Sequence, residues 1–195
     1  HRENIMTHFQ NSLAEALESL EAIRPLEKPL GLAAETVLNC LLKGGKILLC
    51  GNGGSAADSA HIATEFTCRF KEDRRPYPAL ALTVDGGLLT AIGNDYAFQE
   101  IFARQVQAFG RPGDVLIAIS SSGKSRNILS AIEEARRQKM KNIVLLGKGG
   151  GFTAGAGDIE LIVPGKVTAR IQEAQKFLLH VLCEMVEGKL PKENE

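Results

Sequence analysis

His61 and Glu65 are the two residues of this sequence whose types and spacing most directly suggest chemistry. They stand four positions apart among small, helix-tolerant residues, so they project from one face of a helix. An imidazole and a carboxylate placed in this way could bind a metal ion, transfer protons as an acid–base pair, or form a structural hydrogen bond. A structural bond is the usual role of an isolated pair. Here a glycine-rich turn lies one helical turn before the pair, and this location favours a function.

The glycine-rich turn joins a predicted strand to this helix. Residues 46–50 form a short apolar run, typical of a strand covered on both faces, and Gly51–Ser55 follows with three glycines. From Ala56 the pattern becomes helical, with Ser55 as the predicted N-cap. Backbone N–H groups and the positive end of the helix dipole then face one point, which favours an anion there. The alternative is a tight turn that binds nothing.

Known nucleotide-binding signatures fit this turn poorly. Gly51, Gly53 and Ala56 formally match the fingerprint G-x-G-x-x-G/A. That fingerprint expects an acidic residue about 20 positions on, at the end of the next strand, whereas here that position falls before the second strand begins. A Walker-type loop is excluded because no Gly-Lys-Ser/Thr follows at the required spacing. The match therefore gives only weak support for a dinucleotide site.

A second polar loop, Ser120–Ser125, stands between a predicted strand and the helix after it. Its four hydroxyl groups and its backbone N–H groups can donate to phosphate oxygens without a metal ion or a nucleotide base. Lys124 and Arg126 could add positive charge there or point to water. A lone serine-rich loop is often merely solvated, but two strand–loop–helix units in one chain favour a sugar-phosphate cradle.

Gln172 and His180 lie in the last predicted helix. His180 is flanked by leucine and valine, where a histidine buried in the core is the usual explanation. Gln172 stands eight positions earlier, so the two Cα atoms would lie about 12 Å apart at a rise of about 1.5 Å per residue. A histidine side chain leans toward the helix N-terminus. Both side chains can therefore reach one point only if they lean toward each other.

The elements that must position these residues alternate along the chain. Each predicted strand is a continuous apolar run, typical of a parallel sheet covered by helices on both faces. Ligands of such sheets bind beyond the carboxyl ends of the strands, where both polar loops fall. We therefore predict an α/β fold with a five-stranded parallel sheet of the flavodoxin or Rossmann type. The predicted strands span residues 46–50, 79–84, 115–119, 142–146 and 159–163.

Helices are predicted for most of the remaining chain. Two of them precede the first strand, and we expect their apolar stripes to pack on the sheet, on a second subunit, or on both. The predicted helices span residues 5–24, 31–43, 56–70, 88–92, 96–109, 126–139 and 169–186. The whole chain, residues 1–195, is predicted to be one domain. Its parts are the N-terminal helices (1–45), the α/β core (46–187) and a charged, frayed tail (188–195).

Composition narrows the classes of partner. Of 195 residues, 44 % are hydrophobic and 24 % charged, as in ordinary globular proteins. Lysine plus arginine equals aspartate plus glutamate, at 23 each, so no net basic field points to a nucleic acid. No apolar run approaches a membrane span of about 20 residues, and we see no secretory signal pattern. We therefore expect neither nucleic-acid nor membrane partners. The four cysteines lack disulfide spacing, so we expect reduced thiols and a cytoplasmic location.

Four segments together resemble the sugar isomerase (SIS) family: LLCGNGGSAADSAHIATEF, GNDYAF, ISSSGKS and RIQEAQKFLLH. Within the family, the set is most similar to isomerases of seven-carbon sugar phosphates. The resemblance implies a single SIS domain, a homotetramer with sites between subunits, and one zinc ion per subunit. The zinc ligands that it implies are His61, Glu65, Gln172 and His180. The substrate-binding residues that it implies are Asn52, Gly53, Gly54, Ser55, Glu65, Asn94, Asp95, Ser120, Ser121, Ser122, Ser125 and Gln172.

The function that the resemblance implies is aldose–ketose isomerisation of a heptose phosphate. In that chemistry a base removes the proton alpha to the carbonyl, giving an enediol, and an acid completes the transfer. Glu65 is the candidate base and His180 the candidate acid, with zinc polarising the carbonyl oxygen. The roles compete, since a metal ligand is less free to carry a proton. The alternatives are a non-catalytic SIS protein that binds a partner, of the replication-initiator-associating type, and a sugar-phosphate sensor.

Three positions depart from the family's pattern. Lys124 stands where asparagine is expected in the phosphate loop, Ala169 where some members carry aspartate, and Gln175 where a histidine is common. None of the three supplies a group to the core mechanism. Together they leave the substrate preference open.

Overall fold

The structure, a computed structural model, describes residues 2–191 of the chain. Over these residues helices and strands alternate as predicted. The strands are β1 (Ile47–Gly51), β2 (Ala79–Ala81), β3 (Val115–Ser120), β4 (Lys141–Gly147) and β5 (Ile159–Val163). The helices are α1 (Arg2–Ala22), α2 (Glu27–Leu42), α3 (Gly54–Thr67), α4 (Gly86–Asp95), α5 (Ala103–Phe109), α6 (Arg126–Arg137) and α7 (Thr168–Glu187). Short 3-10 turns occupy Arg24–Leu26, Phe98–Glu100 and Lys148–Thr153.

The five strands of the described chain form one parallel sheet in the order β2-β1-β3-β4-β5. β1 and β3 are neighbours, with Leu49 opposite Ile117 and Gly51 opposite Ile119. The chain leaves β1 toward one edge of the sheet and β3 toward the other, so the loops after these two strands part and open a crevice. The predicted α/β fold with a five-stranded parallel sheet is confirmed, and its crevice lies at the carboxyl ends of β1 and β3.

Alternate residues of the central strands belong to two separate layers of the core. In β1, Ile47 and Leu49 pack with α2, α3 and α7, while Leu48 and Cys50 pack with α4, α5 and α6. Because both faces are covered, every residue of β1 and β3 is buried, which explains the uninterrupted apolar runs. α3 and α7 therefore lie on the same face of the sheet.

One predicted helix is interrupted. The segment predicted as a helix over 96–109 contains Ala97, whose backbone is extended, with φ −165° and ψ 155°. A 3-10 turn follows, and α5 begins only at Ala103. Phe98 and Phe109 consequently lie on the surface, although the helical pattern places them with the inward residues.

The apolar stripe of α1 is largely uncovered within the chain. Ile23, just beyond the helix, is buried, whereas Phe9 is 59 % and Leu17 57 % exposed. Leu32 and Leu42 of α2 are also exposed, although the helical spacing of the apolar residues places them with the inward residues. Contiguous apolar surface of this kind marks an interaction site.

The chain beyond α7 stays packed for a few residues. Leu190 is buried in the same core layer as α7, so the prediction of a frayed chain directly from Gly188 is wrong. Residues 192–195 of the predicted tail lie outside the described residues. None of the helices within residues 2–191 has the length and apolar character needed to cross a bilayer.

A buried carboxylate joins the amino ends of β1 and β3. It lies at the opposite end of these strands from the crevice. Asp114 accepts hydrogen bonds from the backbone N–H groups of Lys46 at 2.9 Å and Arg111 at 2.8 Å. It also forms an ion pair with the Lys46 ammonium group, and its side chain is 3 % exposed. Because hydrogen bonds to a charged acceptor are strong, this carboxylate fixes the two strands where they enter the sheet.

Replacing Asp114 by asparagine should lower the free energy of unfolding by about 2–3 kcal/mol, because hydrogen bonds to a charged group contribute about 1.5–3 kcal/mol each. Urea denaturation followed by circular dichroism measures the change. Glu21→Gln is the control, since it breaks an ion pair with Arg24 between side chains that are 66 % and 76 % exposed. The control should leave the denaturation midpoint unchanged. A parental midpoint for Asp114→Asn would contradict this role of Asp114.

Candidate active site

The turn after β1 builds one wall of the crevice. A side chain at Gly51 would place its Cβ 2.5 Å from the carbonyl oxygen of Ser55, and Gly53 has a φ of +55°, so both positions favour glycine. α3 begins at Gly54 with Gly53 as its N-cap. The prediction of Ser55 as N-cap is wrong, because Ser55 lies buried within the first turn of the helix. The N-terminus of α3 stands at the carboxyl end of β1, where its dipole favours an anion.

The serine-rich loop after β3 builds the opposite wall and is internally hydrogen-bonded. Ser120 Oγ accepts from the backbone N–H of Gly123 at 3.1 Å and donates to Ser125 Oγ at 3.3 Å. The Ser122 hydroxyl accepts from the backbone N–H of Lys124 at 3.1 Å. The half-buried serines of the loop are Ser121, Ser122 and Ser125. Hydroxyl groups ordered at the N-terminus of α6 are suited to binding an anion.

The segment after β4 holds the serine loop from behind. Gly123 has a φ of +63°, and a Cβ there would lie 2.0 Å from the carbonyl oxygen of Gly150. Thr153 donates to the Gly123 carbonyl oxygen from its hydroxyl at 2.8 Å and from its backbone N–H at 3.1 Å. The shape of the serine loop therefore depends on a glycine-rich segment that follows the next strand.

A pair of amide side chains joins the two walls. Asn52 Nδ2 donates to Asn127 Oδ1 at 2.9 Å, and Asn127 Nδ2 donates to Asn52 Oδ1 at 2.8 Å. Asn127 lies in the first turn of α6 and is 3 % exposed. It is not among the predicted site residues, although a polar residue at a buried helical position is a signal that could find it. The pair fixes the predicted substrate residue Asn52 against the serine loop.

A cluster of two histidines and a glutamate lies farther along α3. His61 Nε2 and Glu65 Oε1 are 2.8 Å apart, on one helical face as predicted. His180 of α7 faces them, with its ring centroid 5.1 Å from that of His61 and an angle of 69° between the rings. One ligand atom from each residue lies within 4.8 Å of the other two. Two imidazole nitrogens and a carboxylate oxygen are a donor set that suits zinc, so the cluster is a possible metal-binding group.

The cluster has one open and one shielded side. The His61 side chain is 41 % exposed, and that of Glu65 only 16 %. On the shielded side the Phe70 ring stacks against His180, with 5.8 Å between the ring centroids. An imidazole and a carboxylate that meet in this way can exchange protons with a molecule bound from the open side.

Gln172 lies away from this cluster in the single chain. Its amide packs against Gly54, where a Cβ would lie 3.0 Å from Gln172 Nε2. Gly54 precedes His61 by seven positions, about 10 Å along a helix. Between these two levels, Lys176 of α7 forms an ion pair with Asp58 of α3 at 2.8 Å. α3 and α7 thus run side by side in the same direction, and a metal-ligating role for Gln172 stays a prediction.

Asn94 and Asp95 lie at the end of α4, whose buried residue belongs to the other core layer. The Asn94 amide donates to Asp95 Oδ1 at 2.9 Å, and both residues are exposed. Within residues 2–191 no hydrogen bond joins them to the serine loop, whereas Phe98 of the following turn lines the same cavity as Asn52 and Ser125. Their role in substrate binding stays a prediction.

The three departures from the family pattern lie in different surroundings. Lys124 is exposed on the serine loop. Ala169 lines a cavity of about 350 Å³ together with Gln172 and Gly54, so an aspartate there would place a negative charge in that cavity. Gln175 is buried, and its amide has no hydrogen-bond partner within the described residues.

The buried thiol of Cys183 is held in its unreactive, protonated form. Cys183 lies one turn after His180 on α7. Burial raises the pKa of its thiol to about 12, and the charges of Glu65 and Glu187 add to the shift. The thiolate is the reactive form of cysteine. Cys183 therefore supplies no nucleophile to the site.

Three named proteins are similar to this chain over almost its whole length, and the sequence model of the SIS domain matches residues 8–147. A phosphoheptose isomerase from Shewanella denitrificans is 45 % identical over 197 residues, covering 99 % of this chain and 98 % of that protein. The structure of phosphoheptose isomerase GmhA from Neisseria gonorrhoeae has 42 % identity and a TM-score of 0.84. A phosphoheptose isomerase from Francisella tularensis has 40 % identity and a TM-score of 0.86. Both comparisons cover 96 % of this chain and 98 % of the solved one.

Replacing Gly123 by alanine should lower the free energy of unfolding by about 2–5 kcal/mol, because the new Cβ meets the Gly150 backbone and also strains a positive φ. Gly113→Ala is the matched control, since Gly113 has a φ of +89° with open space around it. The control should cost only about 1–2 kcal/mol. Urea denaturation of both variants gives the difference. Equal costs would show that the serine loop does not depend on its contact with Gly150.

Proposed function

The chain belongs to the SIS domain family, and we propose that it is a phosphoheptose isomerase. Such an enzyme is an aldose–ketose isomerase that converts D-sedoheptulose 7-phosphate to D-glycero-D-manno-heptose 7-phosphate through an enediol, the first step of nucleotide-activated heptose biosynthesis. Identities of 40–45 % over nearly full length to proteins of that name support this activity. They favour an enzyme over the two alternatives, a partner-binding SIS protein and a sugar-phosphate sensor.

The single observation that carries the chemistry is the meeting of Glu65 and His180 from two helices, within 4.8 Å. A carboxylate and an imidazole at this separation can act on neighbouring atoms of one substrate. Glu65 takes the proton from the carbon alpha to the carbonyl, and His180 gives a proton to the carbonyl oxygen, which produces the enediol. Return of a proton to the former carbonyl carbon, with loss of one from the other hydroxyl, completes the isomerisation.

We also propose that the cluster holds one zinc ion. His61, Glu65 and His180 would be ligands, with Gln172 as the predicted fourth, and the bound zinc would polarise the sugar carbonyl. The three donors of the cluster fit, since catalytic zinc sites commonly use histidines with a carboxylate as three protein ligands, and they sometimes expand to five ligands. Glu65 Oε1 contacts His61, which leaves its second carboxylate oxygen to act as the base. One carboxylate can thereby serve both proposed roles. The ligand and acid roles of His180 compete, because a zinc-bound ring nitrogen carries no proton.

The two walls of the crevice are proposed to bind the rest of the substrate. A heptose 7-phosphate carries its phosphate and its reacting carbons at opposite ends of the molecule. The serine loop, with neutral hydroxyl and N–H donors, suits the phosphate, and the cluster farther along α3 suits the reacting carbons. The glycine-rich turn, which the Asn52–Asn127 pair joins to the serine loop, would hold the hydroxyl groups between them.

We propose a homotetramer with its sites between subunits. Uncovered apolar side chains on α1 and α7 support association, because closed symmetric assembly is the usual way to cover such surface. These side chains are Ile5, Phe9, Leu13, Leu17 and Leu20 of α1 and Phe177 and Met185 of α7.

A single SIS domain spanning the chain, and a cytoplasmic location, complete the proposal. The four cysteines are free, which supports a reducing compartment.

Glu65→Gln and His180→Gln should each reduce the turnover of sedoheptulose 7-phosphate by about 10²–10⁴-fold, the usual contribution of a general base or acid. In deuterated water the parent should place deuterium on the carbon alpha to the carbonyl, and either variant should do so far more slowly. Elemental analysis should find about one zinc per chain in the parent, because the described chain carries one cluster of His61, Glu65 and His180. Mass spectrometry and coupled turnover assays give the rates.

His8→Gln is the control for these variants, because His8 lies exposed on α1. It should retain parental turnover and zinc content, and all variants should keep the parental mass in light scattering. Near-parental turnover by Glu65→Gln with zinc still bound would contradict Glu65 as the base and would point to Asp95.

Replacing Ser122 and Ser125 by alanine should raise the KM for the heptose phosphate far more than it lowers kcat. The reason is that the phosphate is bound equally in the ground state and in the transition state, so its loss weakens binding uniformly. Steady-state kinetics separate the two constants. Ser130→Ala, farther along α6, is the matched control and should change neither. An unchanged KM for the double variant would place the phosphate at Gly51–Ser55 instead.

A further inference from the structure

Arg74 and Glu187 form a buried ion pair between the end of α7 and the segment that follows α3. Arg74 Nε donates to Glu187 Oε1 at 3.0 Å, and the two side chains are 4 % and 5 % exposed. A buried ion pair gives little net stability compared with apolar residues of similar volume. The main effect of the pair is therefore to fix the backbone groups that it contacts.

On one side, the pair caps the helix that carries the proposed base. Arg74 Nη2 donates to the carbonyl oxygen of Glu65 at 2.6 Å, and Nη1 donates to that of Phe66 at 3.0 Å. Both carbonyls belong to the last turn of α3 and lack partners within the helix. A cation at a helix C-terminus also interacts favourably with the helix dipole. The guanidinium group thus holds the backbone of Glu65 directly.

On the other side, the Glu187 carboxylate binds the backbone of residues 70–72, which follow α3. Glu187 Oε1 accepts from the backbone N–H of Phe70 at 3.0 Å, while Oε2 accepts from Lys71 at 2.7 Å and Glu72 at 3.1 Å. Burial by itself would raise the pKa of this carboxyl. The three backbone N–H groups and the Arg74 charge outweigh burial and lower the pKa below its ordinary value. The carboxylate is therefore ionised at neutral pH.

Residues 70–72 include a side chain that contacts His180, the proposed acid. Phe70, whose N–H is held by Glu187, stacks its ring on the imidazole of His180, with 28° between the planes. Glu187 stands seven positions after His180 on α7, which is two turns along the same helical face. The ion pair is thus one contact away from the backbone of Glu65 and from the ring that packs on His180.

We propose that Arg74 and Glu187 are positioning residues that set the placement of Glu65 relative to His180. This inference rests on the proposed function, because it concerns the base and the acid of the isomerisation. Neither residue belongs to the cluster of His61, Glu65 and His180 or to the two polar loops. They act through the end of α3 and through Phe70, and a shift of about 1 Å between reacting groups can cost about 10²-fold in rate.

Glu187→Gln and Arg74→Lys test the proposal in the full-length protein. Each should lower kcat for sedoheptulose 7-phosphate by about 10–100-fold, with KM within about threefold of the parent, since phosphate binding at the serine loop is untouched. Lysine keeps the charge of Arg74 but lacks the planar fork that reaches three carbonyl oxygens and a carboxylate. If Glu187→Gln does not fold, Glu187→Asp keeps the charge and replaces it.

The control for a merely structural role is Asp114→Asn. Asp114 is also a buried carboxylate that accepts two backbone N–H groups and pairs with a cation, but it lies at the opposite edge of the sheet. It should lower the melting temperature while leaving kcat at the parental value. All rates are measured at a temperature where circular dichroism shows each variant to be folded.

A fluorescent reporter gives a readout that needs no turnover. The chain contains no tryptophan, so Phe70→Trp introduces a single indole that stacks on His180 and is quenched by that contact. Adding Glu187→Gln should release the indole, with brighter emission at longer wavelength and greater quenching by iodide. Adding Asp114→Asn should leave the emission unchanged.

The outcomes separate the proposals. A lower kcat with a released indole supports positioning by the pair. Parental kcat and emission in folded variants, with only a lower melting temperature, would overturn it. If the parent shows no turnover of the heptose phosphate, the proposed function fails, and the indole emission alone then decides whether the pair positions the histidine.

Discussion

The site depends on α3 and α7 lying side by side in the same direction, because each helix supplies part of it. Contacts mark successive levels along the two helices: Gly54 against Gln172, Asp58 against Lys176, and His61 against His180. Both helices are held on one face of a sheet whose central strands are covered on both sides. A parallel sheet demands such cover, so the packing that buries the strands also sets the two helices in register.

Much of the fold was predictable because each central strand is a continuous apolar run ending in a polar loop. That pattern follows directly from burial on both faces. The failures arise where local pattern and tertiary structure disagree. The stretch 96–109 keeps the helical spacing of its apolar residues, yet the backbone of Ala97 is extended. The spacing of apolar residues carries no signal for a break at one residue. The apolar stripe of α1 was visible, but whether its cover comes from the same chain is not encoded in spacing.

The candidate site was predictable only in part. His61 and Glu65 are neighbours through helical spacing alone, which a sequence shows. His180 joins them through tertiary packing and was reached by family resemblance. Asn127 was not predicted: its polar side chain at a buried helical position was a usable signal, but its partner Asn52 lies 75 positions away, and no local pattern links the two amides. Family resemblance likewise groups Gln172 with the histidines, whereas within one chain it packs on the glycine-rich turn.

The partners that complete the site stand far apart along the chain, and this has a consequence for how the protein is made. Arg74 and Glu187 are separated by 113 positions, and α7 is the last of the described helices. During synthesis the sheet and α3 emerge well before α7. Arg74 emerges soon after α3, but its carboxylate partner Glu187 and His180, which faces Glu65 from α7, are absent until α7 has left the ribosome. A loop this long closes slowly, because the chain loses conformational entropy before the long-range contacts that stabilise the closed loop have formed. The cluster of His61, Glu65 and His180 is thus complete only after the final described helix has docked.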